Sequence, residues 1–229
     1  MKQTAIYISE LRGETQIHNV QIKSTLSYGT YVSPYRLPIG SLLHINEWIG
    51  VDREPITLTL QNEITILIPT VGDIVIDIAY QSFYVPLGKL LMLKTMHGDK
   101  VLIHQDGAEE VGCSFLQFVF SGCEYIEHFV VSKVLPVADI MNRNKMMPIS
   151  CEYEMGFDLY FGVFVGKSSY QMEVVQDGST IHFVFVISGT IEIEERILNQ
   201  GDSLLLRGYS EIDMECLSGG SIIFLIQLH

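Results

Sequence analysis

Positive charge is scarce in this chain. Fourteen Lys plus Arg stand against 27 Asp plus Glu in 229 residues, a formal net charge of −13 at pH 7. Such a balance repels DNA, RNA and anionic lipid surfaces, so neither a nucleic-acid nor a membrane partner is expected. Long hydrophobic runs are missing as well: polar residues interrupt each apolar stretch well short of the ~18–20 residues a membrane helix needs. The start, Met1-Lys2-Gln3-Thr4, leads into an amphipathic segment with Glu10, Arg12 and Glu14. It lacks the basic and apolar regions of a secretory leader, and a soluble, cytoplasmic protein is expected.

Cysteine is sparse and irregularly placed. Cys113, Cys123, Cys151 and Cys216 form no C-x-x-C pair, which argues against a zinc knuckle or a dithiol redox centre and for reduced, buried thiols. Nucleotide loops are absent too, because Ser218-Gly219-Gly220 has neither the glycine spacing nor the following helix that cradles phosphate. No Ser or Cys sits in a nucleophile elbow, and Gly122-Cys123-Glu124 reads as a turn. With 48% hydrophobic and 18% charged residues, the chain nonetheless has ample material for a core without disulfides or a structural metal.

What the chain does contain is a succession of short β-rich runs from Thr57 onward: residues 64–68, 74–78, 82–85, 90–93, 101–104 and 115–120. Pro69, Gly72, Pro86, Gly88, Gly98 and Asp106-Gly107 punctuate them. The pattern resumes at 159–165, 170–175, 181–187, 190–194, 203–206, 211–215 and 221–228, with turns at Gln176-Asp177-Gly178, Ser188-Gly189 and Gly201-Asp202. Helical-period segments are missing between these runs, which predicts antiparallel β and excludes a doubly wound α/β sheet. Residues 134–150 interrupt the pattern with a helix-like composition ending at Pro148, and a short connecting helix is expected there. The expected division is an N-terminal domain over 1–133, a connection over 134–150 and a C-terminal domain over 151–229.

The two halves echo one another. The stretch Ile66 to Ile76 followed by Gly88-Lys89-Leu90-Leu91-Met92-Leu93 parallels Phe185 to Ile193 followed by Gly201-Asp202-Ser203-Leu204-Leu205-Leu206. Strand, glycine turn, strand, glycine turn, strand is what a duplicated hairpin-built barrel leaves behind.

That phrase resembles the conserved stretch of cupins, and two copies resemble a bicupin. Thr25-Leu26-Ser27-Tyr28-Gly29-Thr30-Tyr31-Val32-Ser33-Pro34 and Leu42-Leu43-His44-Ile45-Asn46-Glu47 are similar to segments of the pirin-like, quercetin 2,3-dioxygenase-like bicupins. The resemblance implies an all-β fold of two antiparallel cupin barrels. It also implies, for active members, one divalent iron, manganese, nickel or copper ion held by an H-x-H pair, a Glu and a later His, with open positions for dioxygen or substrate.

Those ligands are not found in this sequence. With Gly72 as the closing glycine, the Glu position falls at Thr65 and the H-x-H pair at Thr59 and Gln61, or at Leu58 and Leu60. The later His falls at Val101, and the H-x-E of pirin-like proteins has its nearest counterpart in His104-Gln105-Asp106. No histidine lies between His44 and His97, so an error of a few residues in register restores nothing. In the second half the Glu position falls at His182, the H-x-H pair at Gln176 and Gly178 or Val175 and Asp177, and the later His at Ile212.

No catalytic residue and no metal ligand is therefore assigned. The expected function is a small-ligand-binding or regulatory bicupin scaffold without cofactor, taking a small, partly apolar ligand. Candidate ligand-binding residues are Trp48, placed in the loop at the approach to the first barrel, with His97, His104 and Asp106 at its rim. The alternatives are a metal-dependent quercetinase-like dioxygenase with an atypical site near His97, His104 and Asp106, helped by a distant residue such as His44, or a metal-independent enzyme using a carboxylate and a histidine. His182 reads as a structural histidine, and Glu192, Glu194 and Glu195 as a solvated strand face.

Overall fold

The computed structural model describes residues 2–106, 112–122, 128–135, 140–174 and 179–229. Its strands run β1 (Gln3–Tyr7), β2 (Gly13–Ile17), β3 (Val20–Ser24), β4 (Leu42–Val51), β5 (Ile56–Thr59), β6 (Glu63–Val71) and β7 (Ile74–Ile78). Then come β8 (Gln81–Val85), β9 (Lys89–Lys94), β10 (Lys100–Gln105), β11 (Cys113–Ser121), β12 (Phe129–Val134), β13 (Met146–Pro148) and β14 (Phe157–Val165). The rest are β15 (Ser169–Glu173), β16 (Ile181–Ser188), β17 (Thr190–Ile193), β18 (Arg196–Asn199), β19 (Ser203–Arg207), β20 (Glu211–Cys216) and β21 (Gly220–Leu228). Every strand pairing is antiparallel, and among the described residues there is no α-helix.

Two units divide the chain, one of Arg12–Leu135 and one of Met1–Leu11 with Pro136–His229. The first holds a seven-stranded sheet, β12-β9-β6-β11-β4-β3-β2, and a four-stranded sheet, β5-β10-β7-β8. The second holds β1-β19-β16-β21-β14-β13 and β15-β20-β17-β18. Adding ten to each number from β4 to β11 reproduces the second unit's β14 to β21 in the same sheets and the same neighbour order. The sequence echo is therefore a duplication of an eight-strand block. In both copies the ladder slips one residue near the end of the long strand, beside Thr70 and beside Ile187, just before a turn glycine. Gly72 and Gly189 take φ of 64° and 82°, and a Cβ on Gly189 would lie 2.1 Å from the Gly220 carbonyl oxygen, so the second turn accepts only glycine.

Three expectations are corrected. Neither unit closes into a barrel among the described residues; each is two separate sheets packed over one apolar core. The helix expected over 134–150 is not seen. Residues 136–139 lie outside the described residues, Ile140–Asn142 is one 3-10 turn, and Met146–Pro148 pairs with β14. Asn144, at φ 59°, ends the turn: its amide donates to the Val163 carbonyl, while its Oδ1 accepts from Val165 N and Ser168 Oγ. Pairing to a sheet edge here outweighs a weak helical propensity. Finally, the first eleven residues belong to the second unit. β1 pairs with β19 from Gln3↔Arg207 to Tyr7↔Ser203, covering the edge that β12 covers on β9 in the other unit.

The core of the Arg12–Leu135 unit draws on both its sheets. Trp48, Leu67, Leu91 and Phe115 of the large sheet meet Leu58, Ile76, Val101 and Ile103 of the small one. The second unit is filled the same way by Val184, Leu204, Leu225, Ile191, Ile212 and Met214.

Candidate functional site

The positions at which the resemblance implies metal ligands lie in the first unit, and the side chains there can be identified strand by strand. β5 and β10 lie side by side with Leu58 opposite Val101 and Ile56 opposite Ile103. Period-two alternation turns Leu58, Leu60, Val101 and Ile103 inward and buried, while Thr59 and Lys100 are exposed. Of the two registers open for the H-x-H pair, the structure selects Leu58 and Leu60. An H-x-E beginning at Val101 would end on Ile103. Four aliphatic side chains occupy these positions, and the Glu position, Thr65, is a buried hydroxyl on the large sheet. This donor set does not fit a divalent ion, and among the described residues no group of three or more His, Cys, Asp or Glu could hold one.

Beside Leu58 and Leu60 a cleft of about 280 Å³ opens, lined also by Tyr28, His44, Trp48 and Glu63. Alternation along β4 points His44, Asn46 and Trp48 to the same side. Asn46 and Trp48 both donate to Gln117 Oε1 of β11, at 3.2 and 2.8 Å, and Ser24 Oγ donates to Asn46 Oδ1 at 2.8 Å. This buried polar chain fixes the wall of the cleft. Tyr28 comes from the turn after β3, where its amide and carbonyl exchange hydrogen bonds with Tyr31, and its ring lies 4.9 Å from that of His44. Glu63 enters from the far side of a turn in which Asn62 takes φ 60°.

Burial shapes the charge states. It pushes the His44 imidazole down to about 4, so the ring is neutral near pH 7 and presents an acceptor as well as a donor. It pushes the Glu63 carboxyl up, partly opposed by a hydrogen bond from the Gln61 backbone. The Tyr28 hydroxyl is raised by burial and then by the Glu63 charge.

The four residues expected to bind ligand are not brought together. Trp48 lines the cleft, but it sits within β4 rather than in a loop, 3% exposed and stacked on Phe115 at 5.9 Å and 12°. It offers an edge, not a free face. His104 alternates with Val101 and Ile103 to the outer side of β10, where Nε2 lies 3.3 Å from Asp77 Oδ2 and Nδ1 is 3.0 Å from the Gln105 carbonyl. His97 is exposed in the turn before β10, and Asp106 is exposed with its amide donating to the Asp73 carbonyl. None of these three lines the cleft. Tyr28, Glu63 and Gln117 were missed in the sequence; polar His44 and Asn46 sharing one face of an apolar strand was the available signal.

In the second unit, Ile212 is buried in the core, and His182 is buried with Nε2 3.3 Å from Gln227 Oε1. Residues 175–178, the H-x-H positions, lie outside the described residues. Cys113 and Cys216 are buried and Cys151 is half-buried, with burial pushing the Cys113 thiol up to about 11, an unreactive state. Cys123 lies outside the described residues.

No protein-family model matches the sequence, and no curated protein matches it either. Solved structures do match in fold. YhhW from Escherichia coli superposes with a TM-score of 0.88 at 13% identity, over 99% of this chain and 98% of that one. Bacterial pirin YhhW from Escherichia coli in complex with nickel(II) gives 0.84 at 14%, over 99% of each chain. Quercetin 2,3-dioxygenase from Acinetobacter baumannii gives 0.78 at 12%, over 100% of this chain and 87% of that one. The resemblance read from the sequence is thus matched by the fold of pirin-like and quercetinase-like cupins. No helix among the described residues is long and apolar enough to cross a membrane.

Proposed function

We propose that this chain, built on the pirin-like bicupin fold, works without a metal cofactor as a cytoplasmic small-molecule-binding or regulatory protein rather than as a dioxygenase. Its ligand-binding region is the cleft of the first unit, and its ligand is small and partly apolar. One observation carries the reading: Leu58 of β5, Leu60 just past its end, and Val101 and Ile103 of β10 are buried aliphatic side chains at the positions the ligands would take. Imidazole and carboxylate ligands there would leave open coordination positions for a substrate oxygen, whereas aliphatic side chains offer only packing. The cleft beside them mixes apolar side chains, Ile17, Trp48, Leu58 and Leu60, with the hydrogen-bonding groups of Tyr28, His44, Glu63 and Gln117, a lining that suits a small, partly apolar molecule.

The test is metal content of the purified, untagged protein after incubation with iron, manganese, nickel and copper and desalting. Trace metal in all four cases is the expected outcome. Near-stoichiometric binding of any of them overturns the reading and makes flavonol oxidation the next assay.

A further inference from the structure

The charges around the cleft restrict its ligand further than size and apolarity do. Glu63 is its carboxylate, and no Lys or Arg lines it. A second cleft of about 260 Å³ adjoins it, sharing Ile17, Trp48 and Thr57, and adds Asp52 and Glu54, again without Lys or Arg. Among the described residues no Lys or Arg forms an ion pair with Glu63. A half-buried carboxylate without a cation is costly, and the upward displacement of the Glu63 carboxyl expresses that cost. His44 does not supply the missing charge, since its ring is neutral near pH 7. Tyr28 adds an aromatic ring beside it, and aromatic faces attract cations.

We infer that the cleft takes an organic ammonium ion with a small apolar body, its charged nitrogen paired with Glu63 beside the Tyr28 ring and its apolar body resting on Leu58 and Leu60. The ammonium group supplies the counter-charge the cleft lacks, and its N–H groups find acceptors in the Glu63 carboxylate and the His44 ring. A carboxylate ligand meets Glu63 with nothing to offset the repulsion. This assignment rests on the reading of the cleft as a ligand site.

Benzylamine, benzyl alcohol and benzoate are close in shape, differ in charge and suit a cleft of about 280 Å³. Calorimetric titration of the full-length protein with each at neutral pH should give benzylamine about tenfold tighter binding than benzyl alcohol, and no detectable benzoate binding. The benzylamine advantage should shrink with added salt, and in Glu63→Gln the ratio of benzylamine to benzyl alcohol affinity should fall from about ten to about one. Benzyl alcohol or benzoate binding as tightly as benzylamine overturns the inference and leaves the ligand site standing. Binding of none of the three overturns both. A benzylamine preference that survives Glu63→Gln overturns the assignment to that carboxylate. The charge comparison in the unmodified protein stands even if that variant does not fold.

Discussion

Replacing His44 with glutamine should flatten the acid side of the stability profile. The imidazole titrates at 6.5 in the unfolded chain and at about 4 in the fold, because burial disfavours its charged form. As pH falls below 6.5 the unfolded chain takes up a proton that the folded chain refuses, so stability declines until the folded value is reached. At ~1.36 kcal/mol per pH unit the full loss is about 3 kcal/mol, of which about 2 kcal/mol has accrued by pH 5. Glu63 acts with the opposite sign: its raised carboxyl contributes most below its ordinary value of 4.5 and loses that contribution as pH rises through its folded value. Tyr28 titrates above 10 and stays neutral throughout. Urea unfolding of the unmodified protein and His44→Gln at neutral pH and near pH 5 isolates the histidine, since Glu63 is common to both. The variant should lose about 2 kcal/mol less over that interval. Parallel pH dependences would refute the claim that His44 is held neutral by burial.

Three further outcomes test the geometry. Leu60→Ala should cost about 2–4 kcal/mol in urea unfolding and Thr59→Ala less than about 0.5 kcal/mol, because only the first faces the core; the reverse order would place the wrong face of β5 inward. Gln117→Leu should cost about 2–3 kcal/mol, followed through Trp48 fluorescence, since it strands the indole N–H and the Asn46 amide in a buried setting; a neutral result would mean another acceptor serves them. Removing residues 2–8 should accelerate amide hydrogen exchange in β19 and leave β9 unchanged; equal protection in β19 would mean that β1 is dispensable to that sheet.

Local chemistry alone determined a good deal. Strands after Thr57 were legible because β-branched and apolar residues alternate between glycine and proline turns, and β7 has the bounds read from the sequence. The duplication was legible because both copies keep the same glycine-bounded hairpins. The absence of histidine between His44 and His97 was enough to remove the expected H-x-H pair whatever the register. Tertiary structure decided the rest. Alternation says that two faces differ but not which one lies inside, so Leu58 and Leu60 could not be told from Thr59 and Gln61 until β10 and the large sheet were in place. The order of strands along the chain does not say where a lone terminal strand pairs, so the expected domain over 1–133 takes in Gln3–Tyr7, which pair instead with β19. The cleft escaped for the same reason: Tyr28, His44, Glu63 and Gln117 lie far apart in sequence, and only long-range antiparallel pairing, whose register depends on partners rather than on neighbours, brings them to one wall.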